Sequence, residues 1–159
     1  MNKCSDDEKM HQYMGIEMNI QTWNLLMKKK RSEQDDLRMI MFAKSSLYHW
    51  KKSTNFQPTN EQRGEWLISR VLSILEKGET ALFHAKNTIA LTEKHELKDF
   101  DLAYAYESLA RSYAALKNKD ESKIWYKKAK QAGEMISDNK DKEIFNGDLK
   151  AGPWFDCLD

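Results

Sequence analysis

Two triplets of side chains carry the most distinctive chemistry in this chain. Arg63, Trp66 and Arg70 are spaced three and four apart, and Tyr104, Glu107 and Arg111 repeat that spacing. Residues so spaced share one face of a helix. Arginines beside a tryptophan and a tyrosine can clamp a carboxylate or phosphate through the guanidinium fork and hold an apolar side chain against the rings. Glu107 would orient an arginine or accept from a backbone amide. A plainer reading is also open: Glu107 and Arg111 form an i,i+4 ion pair, and Arg63 or Arg70 pairs with acids on a neighbouring helix. His49, His84, Asp101 and Glu107 make a second constellation. Imidazoles on half-apolar faces near carboxylates can bind a divalent ion, which would suit a small metal-dependent enzyme or ligand-binding protein. These four residues lie on separate elements, without paired histidines at i,i+4. Histidines packed in the core with one hydrogen bond, and Asp99 and Asp101 as helix caps, account for them equally simply.

Other chemistry lacks its signatures. The sequence has no glycine-rich phosphate loop, nucleophile elbow or dinucleotide fingerprint. Cys4 and Cys157 sit near opposite ends, without ligand spacing or a partnered base. No cofactor is expected. A formal net charge of +1 gives no electrostatic reason for nucleic acid or an anionic membrane as partner. The run Lys28-Lys29-Lys30-Arg31 reads as the cationic end of a helix. No window has the apolar length of a membrane span, and residues 1–10 do not read as a secretory signal, so a reduced cytoplasmic location is expected.

The elements that must position these residues are helices. At 159 residues, with two prolines and six glycines, the chain reads as one all-α domain. Residues 1–15 are expected to form a loosely ordered arm, residues 16–150 the domain, and residues 151–159 a tail. Ile16, Ile20, Trp23 and Met27 recur at helical spacing, ending near Arg31. Ser32 with Asp35 resembles a capping box before a helix carrying Leu37, Ile40, Ala43, Leu47 and Trp50. Thr59 with Gln62 predicts the next start, after Pro58, for a helix over about 60–77. Its apolar arc is wide, through Leu67, Val71 and Ile74 and through Ile68, Leu72 and Leu75, so it is expected to be covered on more than one side. Gly78 is expected to close it in a left-handed conformation. A partner helix over about 79–93 packs through Leu82, Ala85 and Ile89. Further hairpin helices are expected over about 101–116 and, after the polar turn Lys117-Asn118-Lys119-Asp120, through Ser122, Tyr126 and Ala129. A short helix around 143–145, ended by Gly147, precedes a tail whose Trp154 and Phe155 are expected to fold back over the end of the domain.

Tyr106, Leu109, Ala110 and Tyr113, followed by Ser122, Tyr126 and Ala129, resemble a tetratricopeptide repeat. Gly78, Ala81, Ala85 and Thr88 repeat the downstream half about forty residues earlier, a period longer than that family's. The segments 46–50, 63–66, 81–85 and 99–113 also look like a group of small bacterial helical proteins of no settled activity. The tetratricopeptide resemblance implies a right-handed stack of about three antiparallel helical hairpins with a short C-terminal capping helix. It implies that the first helix of each hairpin lines a concave groove, with Arg63, Trp66, Arg70, Tyr104, Glu107 and Arg111 facing it. The function expected is binding of a protein or peptide segment in that groove. Self-association through apolar surface at the open N-terminal end is a further expectation.

Overall fold

The computed structural model describes residues 6–159, which form seven helices and no strand among them. They are α1 (Asp6–Leu26), α2 (Glu33–Lys52), α3 (Pro58–Ile74), α4 (Gly78–Lys94), α5 (Phe100–Ala115), α6 (Lys119–Glu134) and α7 (Asn139–Ala151). Each of the first six packs on its chain neighbour. In addition α3 packs on α5, and α7 packs on α5 and α6. None of the described helices is long and apolar enough to cross a membrane.

Small residues set the helix spacing. Ala81, Ala85 and Thr88 of α4 are fully buried, as are Ser122 and Ala129 of α6. Ser69 of α3 donates to the Ala81 carbonyl at 3.0 Å, and Ser122 donates to the Ala110 carbonyl at 3.1 Å. Both pairs of backbones are thus tied by a serine hydroxyl. The wide apolar arc of α3 is buried continuously from Leu67 to Ser73, and α5 is buried almost throughout. One cluster of core residues joins Met39, Ala43, Leu47, Leu67, Val71 and Leu72. A second joins Ala103, Tyr104, Ala129, Ile136, Phe145 and Leu149, so α7 contributes to the core.

Several boundaries differ from expectation, each for a local reason. Helix α1 includes residues 6–15, which the sequence reads as an arm. Gly15 sits against the Trp50 indole, its carbonyl accepts from Ser46 at 2.7 Å, and His11 meets His49, so this stretch docks on α2. The remainder of the expected arm, with Cys4, lies outside the described residues. The Ser32–Asp35 capping box forms as expected. Helix α3, by contrast, starts at Pro58 in the first-turn position, capped by Gln57 with Asn60 and not by Thr59 with Gln62. The left-handed residue closing α3 is Glu76, with φ 55°, and Gly78 instead opens α4. A Cβ on Gly78 would lie 2.6 Å from the Leu116 side chain, so close approach explains this glycine. Glu76, Glu96 and Lys117 are equivalent. Each has positive φ, and the residue after each donates to a carbonyl five positions back, giving three Schellman closures without glycine. Asp99 precedes α5 but does not cap it by side chain; its carboxylate accepts from the Ser137 backbone and hydroxyl. Helix α7 passes through Gly147 and ends at Gly152, with φ 66°.

Candidate functional site

Six residues are expected from the sequence to face one groove. The structure divides them into an upper three that line a cavity and a lower three that are buried beneath it. Arg63, Trp66 and Tyr104 line a cavity of about 250 Å³, together with Trp23, Phe100 and Asp148. Its walls come from α1, α3, α5 and α7. Trp23 packs on Trp66 at 6.0 Å, and Tyr104 meets both Trp66 and Phe100 at 5.0 and 4.5 Å between ring centroids, giving a continuous aromatic floor. Arg63 stands at the rim, its side chain 59% exposed, and forks onto the Asp101 carboxylate at 2.8 and 3.2 Å.

Arg70, Glu107 and Arg111 do not face open solvent. They are 7%, 0% and 1% exposed, which corrects the expectation that all three line a surface groove. The i,i+4 pairing of Glu107 with Arg111 is present. Glu107 also accepts from Arg70 Nη1 at 2.7 Å and from Trp66 Nε1 at 3.1 Å. Burial alone would push the Glu107 carboxyl up, but Arg111 and Arg70 beside it hold it below the usual carboxylate range. Burial draws the Arg111 guanidinium down against the attraction of Glu107.

Arg111 has a second role. Its Nη2 and Nη1 donate to the Asp148 and Gly152 carbonyls at 2.7 and 2.9 Å. Those carbonyls lie at the C-terminal end of α7, where helix carbonyls lack intrahelical partners and the dipole is negative. The Trp154 ring covers the same guanidinium at 4.5 Å, and Cys157 is buried near the Ala114 carbonyl. Trp154 therefore folds back as expected. What it covers is the inner charge cluster of α5, and Phe155 lies over Lys117. Over Arg111, α7 and the tail occupy the face that the expected groove needed open.

A second cavity, of about 430 Å³, adjoins the first and shares Trp23 and Asp148 with it. Arg31, Arg70 and Pro153 also line it. Asp148 stands at the junction, accepting from the Tyr104 hydroxyl at 2.6 Å. Burial, then Asp148, push the Tyr104 phenol far up, so it stays protonated and donates. Arg70 is left poorly satisfied among the described residues. Its Nε has no hydrogen-bond partner, and its Nη2 stands 3.7 Å from Asp148, too far for a hydrogen bond.

The metal candidates are not brought together. His84 Nδ1 meets Glu65 at 2.5 Å, His49 Nδ1 meets His11 Nδ1 at 2.8 Å, Asp101 binds Arg63, and Glu107 binds the two buried arginines. Among the described residues no three His, Cys, Asp or Glu side chains are grouped to share an ion. Burial and then the neighbouring His11 depress His49, while Glu65, which burial would raise, is held low by His84.

Sequence reasoning misses Trp23, Phe100 and Asp148 as cavity residues. Trp23 is visible as part of an apolar stripe, and its exposure to a cavity follows only from α3 lying beside it. Asp148 carries no signal, because the sequence ends α7 before it. No protein-family model, curated protein or solved structure matches this chain, so its functional reading rests on this geometry.

Proposed function

We propose that this chain is a tetratricopeptide-like interaction module, three hairpins stacked with right-handed sense and capped by α7. Its paired cavities hold a peptide segment bearing a large apolar side chain next to a carboxylate. The stacking reading is supported by α3 packing on α5 as well as on α4, and by small residues buried at matching places in α4 and α6. In the binding reading, the apolar side chain enters the aromatic cavity and the carboxylate reaches Arg70 in the adjoining one.

The observation that carries this is Arg70. A buried guanidinium with a donor left unpaired costs stability, and such groups call for an explanation in what they bind. Here that guanidinium lines a cavity beside an aromatic floor; its Nε is itself buried, and its Nη2, 3.7 Å from Asp148, is the donor a carboxylate in the cavity would engage. Asp148 opposes a bare anion, so the apolar anchor must contribute part of the affinity. Selection of a random peptide library on the immobilised full chain tests the proposal. The expected outcome is enrichment of peptides with Leu, Phe or Trp beside Asp or Glu. Arg70→Lys, which keeps the charge and loses the fork, should weaken them at least tenfold while far-UV circular dichroism stays unchanged. No enrichment, or equal binding to the variant, would overturn it.

A further inference from the structure

Helix α1 is apolar on two opposite sides. Its inner side, at Gly15 and Thr22, is buried against the rest of the molecule. Its outer side presents Tyr13, Ile16 and Ile20, and Met27 follows directly after its last residue with its N–H still bonded to the Trp23 carbonyl. The four are spaced three, four and seven apart and are 62%, 43%, 47% and 69% exposed. These positions fall within a narrow arc at 3.6 residues per turn and span about 20 Å of helix. They remain open to solvent, Ile16 and Ile20 at the edge of a cleft formed with Trp50 and Asn60, whereas at the opposite end α7 and Trp154 cover α5. A contiguous exposed apolar stripe of this size marks an interaction surface.

The charges on the same element say what fits there. Its first turn is acidic, with Asp6, Asp7 and Glu8, and the residues just past its end are Lys28, Lys29 and Lys30. Asp6, Asp7, Lys29 and Lys30 are all exposed. Two such helices side by side repel at both ends when parallel and complement at both ends when antiparallel. A two-fold axis at the level of Met18 sets Ile16 opposite Ile20 of the other copy. The same antiparallel arrangement turns the acidic first turn, with Asp6 and Asp7, towards the basic loop Lys28-Lys29-Lys30 that follows the helix of the other copy. It also lays the aliphatic stem of Lys9 over Met27.

We propose that a second copy of this chain docks antiparallel on α1, through Tyr13, Ile16, Ile20 and Met27, as an isologous dimer. Met27 also borders the second cavity, whereas Tyr13, Ile16 and Ile20 line neither of the paired cavities, so the isoleucine changes test the dimer apart from the peptide reading. Sedimentation velocity of the full chain across a hundredfold concentration range tests it, with circular dichroism verifying the helices of every variant. Wild type should sediment as a dimer that Ile16→Glu with Ile20→Glu converts to monomer. Lys29→Glu with Lys30→Glu should weaken the dimer at least tenfold at low salt, and adding Asp6→Lys with Asp7→Lys in the same chain should restore it. A wild-type monomer throughout would overturn the proposal. So would a dimer indifferent to the isoleucine changes, or a quadruple charge exchange that leaves association weak.

Discussion

Replacing Glu107 by Gln changes one atom's chemistry at the point where α3, α5 and the C-terminal segment are joined. The side chain is fully buried and accepts from Arg70 Nη1, Arg111 Nε and Trp66 Nε1. A glutamine there would keep the shape and one acceptor oxygen, but it would remove the charge facing two buried guanidiniums and set its NH2 against either the Trp66 indole N–H or the arginines. Breaking a buried ion pair by neutralising one partner costs about 3–5 kcal/mol, a large share of the roughly 5–15 kcal/mol that a domain has in total. For a chain of this size that lowers Tm by about 6–20 °C. Thermal and urea unfolding followed by far-UV circular dichroism measure it, and a cycle with Arg111→Met isolates the coupling, expected at about 1–3 kcal/mol. Because Glu107 is held below its ordinary range in the folded state, its contribution is full above the unfolded carboxylate pKa and is lost as pH falls through the folded value. The gap between wild type and Glu107→Gln should therefore narrow in acid. A Glu107→Gln protein within about 0.5 kcal/mol of wild type, or strict additivity with Arg111→Met, would refute the description of this cluster as one coupled unit.

Two glycines should respond in opposite directions. A Cβ on Gly133 would stand 2.3 Å from the ring of Phe145, which is fully buried and has nowhere to move, so Gly133→Ala should destabilise by about 1–3 kcal/mol. Gly147, inside α7 with nothing within 4 Å, should gain about 0.5–1 kcal/mol on conversion to Ala; thermal unfolding of both variants checks the pair. Asp35 is pushed down from 3.8 to about 2, first by the hydrogen bond from Lys28 and then by the Ser32 backbone. Its stabilising contribution is present above pH 3.8 and lost towards pH 2, so Asp35→Asn should flatten the acid limb of an unfolding-versus-pH curve in that window. An unchanged acid limb would show that the Lys28–Asp35 contact does not persist in solution.

The helices themselves are legible in the sequence because their buried faces repeat with the right period. Ala81, Ala85 and Thr88, and Ser122 and Ala129, are small where another backbone must approach, and all five are buried. Boundaries are less legible because two different physical demands select the same residue type. Gly78 reads as a conformational glycine and is a packing glycine, while Glu76 takes the left-handed position at an energetic cost that sequence does not advertise. Residues 6–15 lack a strong apolar period, yet they are helical because Gly15, His11 and Gln12 find partners on α2 and the segment after it. Long-range partners of this kind leave no local trace.

The six predicted site residues show the same divide at the level of function. Helical spacing correctly places each triplet on one face, but spacing is indifferent to what lies on top of that face. At α3 the outer part stays open, so Arg63 and Trp66 border a cavity. At α5 the face is roofed by the carbonyl end of α7 and by Trp154, so Arg111 becomes the group that satisfies that end. An arginine pattern suited to gripping an external carboxylate is equally suited to gripping the chain's own carbonyls, since both present oxygen acceptors to the same fork. The distinction lies in donor count. Arg111 reaches Glu107 and two carbonyls, whereas Arg70 makes one hydrogen bond and leaves Nε unpaired. Of the two buried arginines only Arg70 therefore retains capacity for a ligand, and the binding hypothesis narrows from six residues to the cavity walls around that one.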